Sequence, residues 1–529
     1  MGTVRTTASG IPVPVCAGPS TVAPGLEDRL GEPGGFPFTR GLHEVMYRER
    51  PWTIRQLAGF GSAADTNERY RLLLRQGATG INGVFDYPSL RAFGSDDERA
   101  ASDVGRGGVA VDVIDDFEDL FAGIPLADVS VSLVSSQPIG AVPHLAMYLR
   151  AAQRRGVDLH QLAGTSQNDF LMETAITIAP LALPPQASFR LECDLVEFAT
   201  LHLPRWNPLS VTGYNYREAG AEAPLEMALV LAHGRAVACE LIRRGHAPEA
   251  FLPRLSFFLC AHNDFFEEIA KFRAIRRMWS HWVRDELGVA DERCQRFRFH
   301  TQTSGVTNVS RFAHVNIARS ALQALAAVMG GTQSLHVNGY DEALSIPTEH
   351  AALTALRTQY VLLHESGVAS ATDPLGGSWL VEHLTDEIEQ AAEQVLAQIE
   401  THGGIVASTE NGWVHRELAR QAFDHQRALE DGTRLVVGVN TQLEGPDEQP
   451  APFPLPSGTV EGQRARIATV LERRDSGRAE QALACLAEVC RSDENVMDAA
   501  LRAVDADVTL GEFGQVFRSA LGTWEFPLW

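Results

Sequence analysis

Little in the chain ties it to an oxidising compartment, a membrane or a nucleic acid. Its seven cysteines, Cys16, Cys193, Cys239, Cys260, Cys294, Cys485 and Cys490, are odd in number and form no Cys-x-x-Cys. That pattern argues against a disulfide framework or a zinc site and fits reduced thiols in a cytoplasm. The 17 histidines are scattered, with no HxxxH pair, so no metal is expected. No apolar run reaches the ~18 residues of a membrane helix. The first residues lack a basic start followed by an apolar core, so no signal peptide is expected. Lys and Arg number 45 against 67 Asp and Glu, a formal net charge of -22. Without a cationic surplus, nucleic acids and anionic membranes are poor partners. An anionic ligand would need a local Arg cluster. There is no GxSxG, no P-loop and no GxGxxG after a strand, which removes support for those nucleophile and nucleotide chemistries.

What is present is a repeat of short apolar strands and longer helices over 529 residues. Strand candidates are Gly80–Phe85, Gly108–Asp112, Val129–Val134, Leu162–Thr165, Phe189–Leu191 or a nearby segment, Leu209–Thr212, Leu255–Leu259, Phe297–Thr301 and Ser334–Asn338. Helical patterns separate most of them. Such alternation predicts a parallel sheet, and about eight units fit an α/β fold of the (β/α)8 TIM-barrel type. Residues 1–35, rich in Pro, Gly, Ser and Thr, read as an extended or disordered N-terminal arm. Residues 36–400 form the expected barrel, and 401–529 a mostly helical C-terminal region with a short strand at Val436–Asn440.

The centre of the chain is Leu209–Ala221. A buried strand breaks at Gly213, and two tyrosines, Asn215, Arg217 and Glu218 follow before a helix. A junction of this kind lines the active face of a barrel, or simply caps it. Polar clusters follow other strands too: Asp86-Tyr87, Gln167-Asn168-Asp169, Thr301 to Gly305 and Asn338 to Asp341. The stretch Met46–Phe60 gathers Arg48, Arg50, Arg55, Thr53 and Trp52. Guanidinium forks suit phosphate oxygens, but a solvated basic turn has the same composition. Gln333 and Glu365 could bind ribose or amide groups, or cap helices.

These segments resemble the coenzyme B12-dependent acyl-CoA mutases, the methylmalonyl-CoA, isobutyryl-CoA and 2-hydroxyisobutyryl-CoA mutase family. The likeness rests on Arg50-Pro-Trp-Thr-Ile-Arg-Gln56, Leu120-Phe-Ala-Gly-Ile-Pro125, Gln161-Leu-Ala-Gly-Thr165, Gln167-Asn-Asp169, Glu218-Ala-Gly-Ala221, Pro253-Arg-Leu-Ser-Phe-Phe258, Gln302-Thr-Ser-Gly305, Thr332-Gln-Ser-Leu-His336 and Glu365-Ser-Gly367. It implies a barrel threaded by the pantetheine arm of an acyl-CoA substrate. It also implies adenosylcobalamin carried by a separate flavodoxin-like domain with a DxHxxG motif. Asp158–Gly164 is one residue too long for that motif, and the chain ends where the linker to such a domain would begin. The expected protein is therefore a cytoplasmic large subunit that shares its cofactor with a small cobalamin-binding subunit, in a hetero-oligomer or on a homodimer of large subunits.

Carried over by resemblance, Tyr214, Asn215 and Gln167 are catalytic candidates. Met46, Arg50, Thr53, Arg55, Arg273 and Arg276 match CoA-contacting positions. Phe85, Glu218, Gln333 and Glu365 match positions facing the corrin or adenosyl group. Four positions depart from the family: Leu57 replaces a Tyr beside the reacting carbon, Thr177 or Ile178 replaces an Arg for a free carboxylate, Asn215 replaces a His, and Gly331 replaces a corrin-facing His. Asn donates a hydrogen bond but delivers no proton. The resemblance thus implies radical rearrangement of an uncharged short, branched or hydroxylated acyl-CoA. The alternative is a mutase-like acyl-CoA-binding protein that has lost the rearrangement.

Overall fold

Alternation makes Thr53–Ala58 a strand: Ile54, Gln56 and Ala58 are buried while Thr53, Arg55 and Leu57 stay half-open. A period of two places these sets on opposite faces. The computed structural model describes residues 5–176, 180–447 and 449–526. Parallel strands follow at Gly80–Val84, Ser130–Val134, Gly164–Gln167, Trp206–Asn207, Ser210–Thr212, Ser256–Ala261, Phe299–Thr303 and Ser334–His336. Trp206–Asn207 pairs with Gly164–Thr165, and Ser210–Thr212 neighbours Ser256–Ala261. Between them lies Pro208, which has no N–H for the ladder, so these two pieces act as one interrupted strand. The last strand returns to the first, with Ser334 opposite Thr53 and Leu335 opposite Ile54. Sequential order with first and last strands paired is that of the expected α/β barrel.

The chain divides into two compact units. One comprises Met1–Ile54, Thr212–Ser408 and Trp413–Phe453. Its core stacks Phe257 on Phe297, centroids 3.8 Å apart, with the edge of Trp279 against Phe257. The helix Phe265–His281 is fastened to Trp379–Thr401 by Arg273–Glu382 at 2.6 Å and Arg277–Asp386 at 2.9 Å. Residues expected as a loose N-terminal arm belong to this unit: Ala8 N–H donates to Asp264 Oδ2 and Ser9 N–H to Glu267 Oε2, both at 2.9 Å.

The other unit comprises Arg55–Val211, Thr409–Gly412 and Pro454–Trp529. Its strands are covered by helices including Pro138–Arg154 and Pro185–His202. Gly164 is bare because a Cβ there would sit 2.2 Å from both the Trp206 ring and the Val131 carbonyl. The final helices dock through Arg190 Nη1 to the Cys490 carbonyl and Arg150 Nη2 to Asp505, each at 2.7 Å.

Several strand expectations are corrected. Gly108–Asp112 contributes only an isolated bridge, Val109 to Phe85. Phe189–Leu191 lies inside the helix Pro185–His202, whose length and buried stripe outweigh a three-residue apolar run. Val436–Asn440 is a turn with one bridge, Val437 to Thr441. The first barrel strand is instead Thr53–Ala58, in the stretch read from sequence as phosphate-binding arginines or a solvated basic turn.

Candidate active site

In the first unit the candidate residues separate by strand end. At the C-terminal ends, Gly213 breaks the strand and a single helical turn, Tyr214–Glu218, presents Tyr214 and Glu218. The Tyr214 hydroxyl accepts from Gln302 Nε2 at 2.9 Å, and the same amide donates to Asn338 Oδ1 at 3.0 Å. Asn338 is held in turn by Thr303, its N–H on Oγ1 at 2.9 Å and its amide on the carbonyl at 2.7 Å. Glu218 accepts from Ser304 Oγ and from Val306 N–H, both at 2.7 Å. Burial still raises its pKa, against these bonds and the Gly305 and Tyr214 donors. Burial, then Glu218 and Glu342, push the Tyr214 phenol well above its ordinary range, so it is a neutral donor at physiological pH. Glu342 completes the cluster: burial first, then Glu218 and Asp341, raise it to about 8. Asn215 is half-buried on the same turn.

At the N-terminal ends lies a basic group. Arg50 is exposed, and its field with Arg254 adds to burial in lowering the pKa of Arg298. His43 is lowered by burial and then by Arg296, Arg50 and Arg298, against a single opposing carboxylate, Glu49. Arg50, Arg254 and Arg298 thus feel one another's charge in a protein of net charge -22, the local positive field that an anionic ligand requires. Arg254 and Arg298 were not singled out from sequence. Their signal is an Arg one or two residues ahead of a strand start, on a chain where cations are scarce. Gln302, Asn338 and Glu342 were also without assigned roles, although the first two sit in the post-strand clusters.

Met46 and Arg276 meet with Gly331 in a small pocket of this unit, also lined by Arg40, Tyr47 and Asp373. Arg276 there is committed to backbone: Nε donates to the Phe38 carbonyl and Nη2 to that of Thr39, at 2.9 and 2.8 Å. Arg273 is fully buried on Asp373 and Glu382. These two guanidiniums tie elements together. Gly331 has φ +87° and a Cβ would meet Arg276 Nη1 at 3.1 Å, so a His is disfavoured there on two counts. Gln333 precedes Ser334–His336, at the end opposite the Tyr214 cluster. Its Oε1 accepts from Phe299 N–H at 2.9 Å and its carbonyl accepts from Thr53 N–H at 3.0 Å. Glu365 is exposed as the C-cap of Glu349–His364, away from that cluster's contacts.

In the second unit Arg55 and Leu57 share the half-open face of their strand, in register with Gly80 and Asn82. Arg55 donates to the Ile81 carbonyl at 3.0 Å and to Ser130 Oγ at 2.7 Å, and burial pulls it down to about 10. Along the same registers follow Ser132, Thr165 and Asn207, with Asn207 donating to Thr165 Oγ1 at 3.2 Å. Ordinary barrel interiors are packed with Val, Ile and Leu. Gly, Ser, Thr and Asn leave room and hydrogen-bonding groups instead. Asn82 Oδ1 and both amide atoms of Asn168 are buried with no hydrogen-bond partner among the described residues. Gln167 ends its strand, buried, its carbonyl accepting from Ser136 N–H at 2.7 Å. Phe85 is buried against His144, centroids 4.1 Å apart. Thr177 and Ile178 lie outside the described residues.

This is an α/β-barrel protein with a basic cluster at one end of its strands and a phenol–amide–carboxyl cluster at the other. Comparison with known proteins takes the assignment to a family. The methylmalonyl-CoA mutase family matches residues 6–523. The 2-hydroxyisobutanoyl-CoA mutase large subunit of Aquincola tertiaricarbonis is 39% identical over 501 residues, covering 94% of this chain and 88% of that one. Methylmalonyl-CoA mutase of Rhizobium meliloti is 38% identical over 494 residues, and the human mitochondrial enzyme 37% over 492. The chain spans 68% and 65% of those two. The chain belongs to the methylmalonyl-CoA mutase family, the B12-dependent acyl-CoA mutases, which are isomerases. No described helix is long and apolar enough to cross a membrane.

Proposed function

We propose that this chain is the large subunit of a mutase that rearranges an uncharged short or branched acyl-CoA, isobutyryl-CoA-like or hydroxyacyl-CoA-like. It would share adenosylcobalamin with a separate small cobalamin-binding subunit. The observation that carries this reading is the arrangement along the strand Phe299–Thr303. Arg298 with Arg50 and Arg254 stands at its start, and Gln302 with Tyr214 at its end. At about 3.3 Å per residue, roughly 13 Å separates Arg298 from Gln302. That suits a ligand with phosphates at one end and a carbonyl at the other. His300, between them, is half-open and bonded to Ser334 Oγ at 2.8 Å.

The roles follow from chemistry. The guanidiniums hold phosphate oxygens. Neutral Tyr214, fixed by Gln302, turns its one proton from Glu218 towards a thioester carbonyl when the ligand binds, and Asn215 offers a second amide. Glu342 Oε2 and Asn308 Oδ1, buried atoms with no hydrogen-bond partner among the described residues, suit the hydroxyls of an adenosyl ribose. When bound, adenosylcobalamin supplies the radical that starts the rearrangement. This chain excludes water from the site and orients the acyl group.

The test combines the chain with a small cobalamin-binding subunit, adenosylcobalamin and a panel of acyl-CoAs. Rearranged product from isobutyryl-CoA or a hydroxylated analogue is expected. Tight acyl-CoA binding with no product from any of the panel would favour the alternative that Asn215 suggests, a binding protein without the rearrangement.

A further inference from the structure

Behind the Tyr214–Glu218 turn lies a buried set of two cations and two carboxylates: Arg217, Lys271, Glu226 and Glu268. All four are essentially closed to solvent. Arg217 stands on the turn itself. Its Nη1 donates to the Ala221 carbonyl at 2.7 Å and its Nη2 to Glu268 Oε1 at 2.8 Å. Lys271 Nζ donates to Glu268 Oε2 at 2.5 Å, to Glu226 Oε2 at 2.7 Å and to the Cys260 carbonyl at 2.7 Å. Glu226 Oε1 accepts Cys260 N–H at 2.9 Å. The set therefore joins the turn to two long helices, Ala223–Arg243 and Phe265–His281, and to the strand Ser256–Ala261.

We infer that this ionic set is a positioning device for the candidate site, with Arg217 and Lys271 as its positioning residues. The inference rests on the reading of Tyr214 and Glu218 as site residues. A turn of five residues has too few internal hydrogen bonds to hold its own orientation. Its Tyr214 must meet Gln302, and its Glu218 must meet Ser304 and Val306, within a few tenths of an ångström. A neutral buried cluster with every cation on at least two acceptors does this, because any rotation of the turn would strand a charge in a low-dielectric interior. The apolar alternative would pack equally well but would not dictate one orientation. Arg217 is spent in this role and is not available to swing towards a substrate.

The test uses the full chain with its cobalamin-binding partner and compares Arg217→Lys, Arg217→Met and the double variant Arg217→Met/Glu268→Gln. The double variant leaves no unpaired carboxylate and guards against simple misfolding. Amide hydrogen exchange over residues 213–221 needs no turnover, so it decides the inference even if no acyl-CoA is rearranged. In the Met variants we expect exchange there to quicken at least tenfold while Ser256–Ala261 is unchanged. In an active holoenzyme, kcat should fall at least tenfold with KM for acyl-CoA within about threefold, and Arg217→Lys should recover part of both. Wild-type exchange at 213–221 in the folded double variant would overturn the inference. So would a uniform rise across the unit, which marks a merely structural role. Failure of the wild-type complex to turn over any acyl-CoA, with the local exchange effect intact, would count against the functional reading alone.

Discussion

The ring of Tyr214 lies flat on that of Phe258, centroids 5.0 Å apart and planes within 4°. The stack fixes the phenol from below, while Gln302 fixes its oxygen from the side. An aromatic pair is worth about 0.5–1.5 kcal/mol beyond the area it buries. Phe258→Ala should therefore lower kcat about three- to tenfold by loosening Tyr214, with Phe258→Tyr close to wild type. Steady-state kinetics on the reconstituted complex check this. An unchanged kcat in Phe258→Ala would show that Gln302 suffices.

Glu342 gives the site a pH signature. The residue is half-buried, but its Oε2 is fully covered, and its pKa rises from 4.5 to about 8. The folded protein thus keeps a proton that the unfolded chain has already released. More protons on the native state mean that stability falls as pH rises through this window and levels off above about 8. Glu342→Gln should flatten that slope and be relatively more stable at alkaline pH. Urea unfolding across the window measures it. A parallel slope in variant and wild type would refute the assignment.

The basic cluster predicts a split in the kinetic constants. A charge-assisted hydrogen bond is worth about 1.5–3 kcal/mol, or roughly ten- to a hundredfold in affinity. Arg298→Gln should raise KM for acyl-CoA by that order with little change in kcat. Wild-type KM should also rise with ionic strength, because exposed Arg50 contributes a screened interaction. Titrating free CoA against each variant by calorimetry tests the binding component. Equal affinity in Arg298→Gln would remove the cluster from the phosphate site.

Much of the fold was legible because it rests on periodicity. The strands Gly80–Val84, Ser130–Val134 and Phe299–Thr303 fall within or beside their expected runs. Thr53–Ala58 escaped because its half-open face carries Thr53 and Arg55, residues that read as a loop in an alphabet of apolar strands. A barrel whose inner face is polar hides its strands in this way. The Tyr214 turn was legible from Gly213 and the dense polar run after it. The placement of Gln333 was not legible, because adjacency in sequence does not say on which side of a strand start a side chain works. The Arg254–Arg298–Arg50 cluster was invisible for a related reason: its members are brought together only by parallel register.

Substrate charge is the sharpest consequence. Where the mutases that the sequence resembles pair a Tyr and an Arg with a free carboxylate, this chain places Leu57 on a half-open strand face. Its neighbour in register is Asn82, an amide without charge. The cation on the Tyr214 turn, Arg217, is held by Glu268 and the Ala221 carbonyl in a fully buried position. Freeing it would leave Glu268 with one cation fewer in a closed interior. A carboxylate brought into a closed site without a cationic partner costs several kcal/mol, roughly 3 or more. At about 1.4 kcal/mol per tenfold, that is a discrimination of about a hundredfold or greater. Methylmalonyl-CoA should therefore show a kcat/KM at least about a hundredfold below that of isobutyryl-CoA. Since binding of the CoA portion is common to both, the loss should persist when the two are compared as competitors at equal concentration. Comparable turnover of the two would mean that a cation reaches the acyl group by a route other than Arg217.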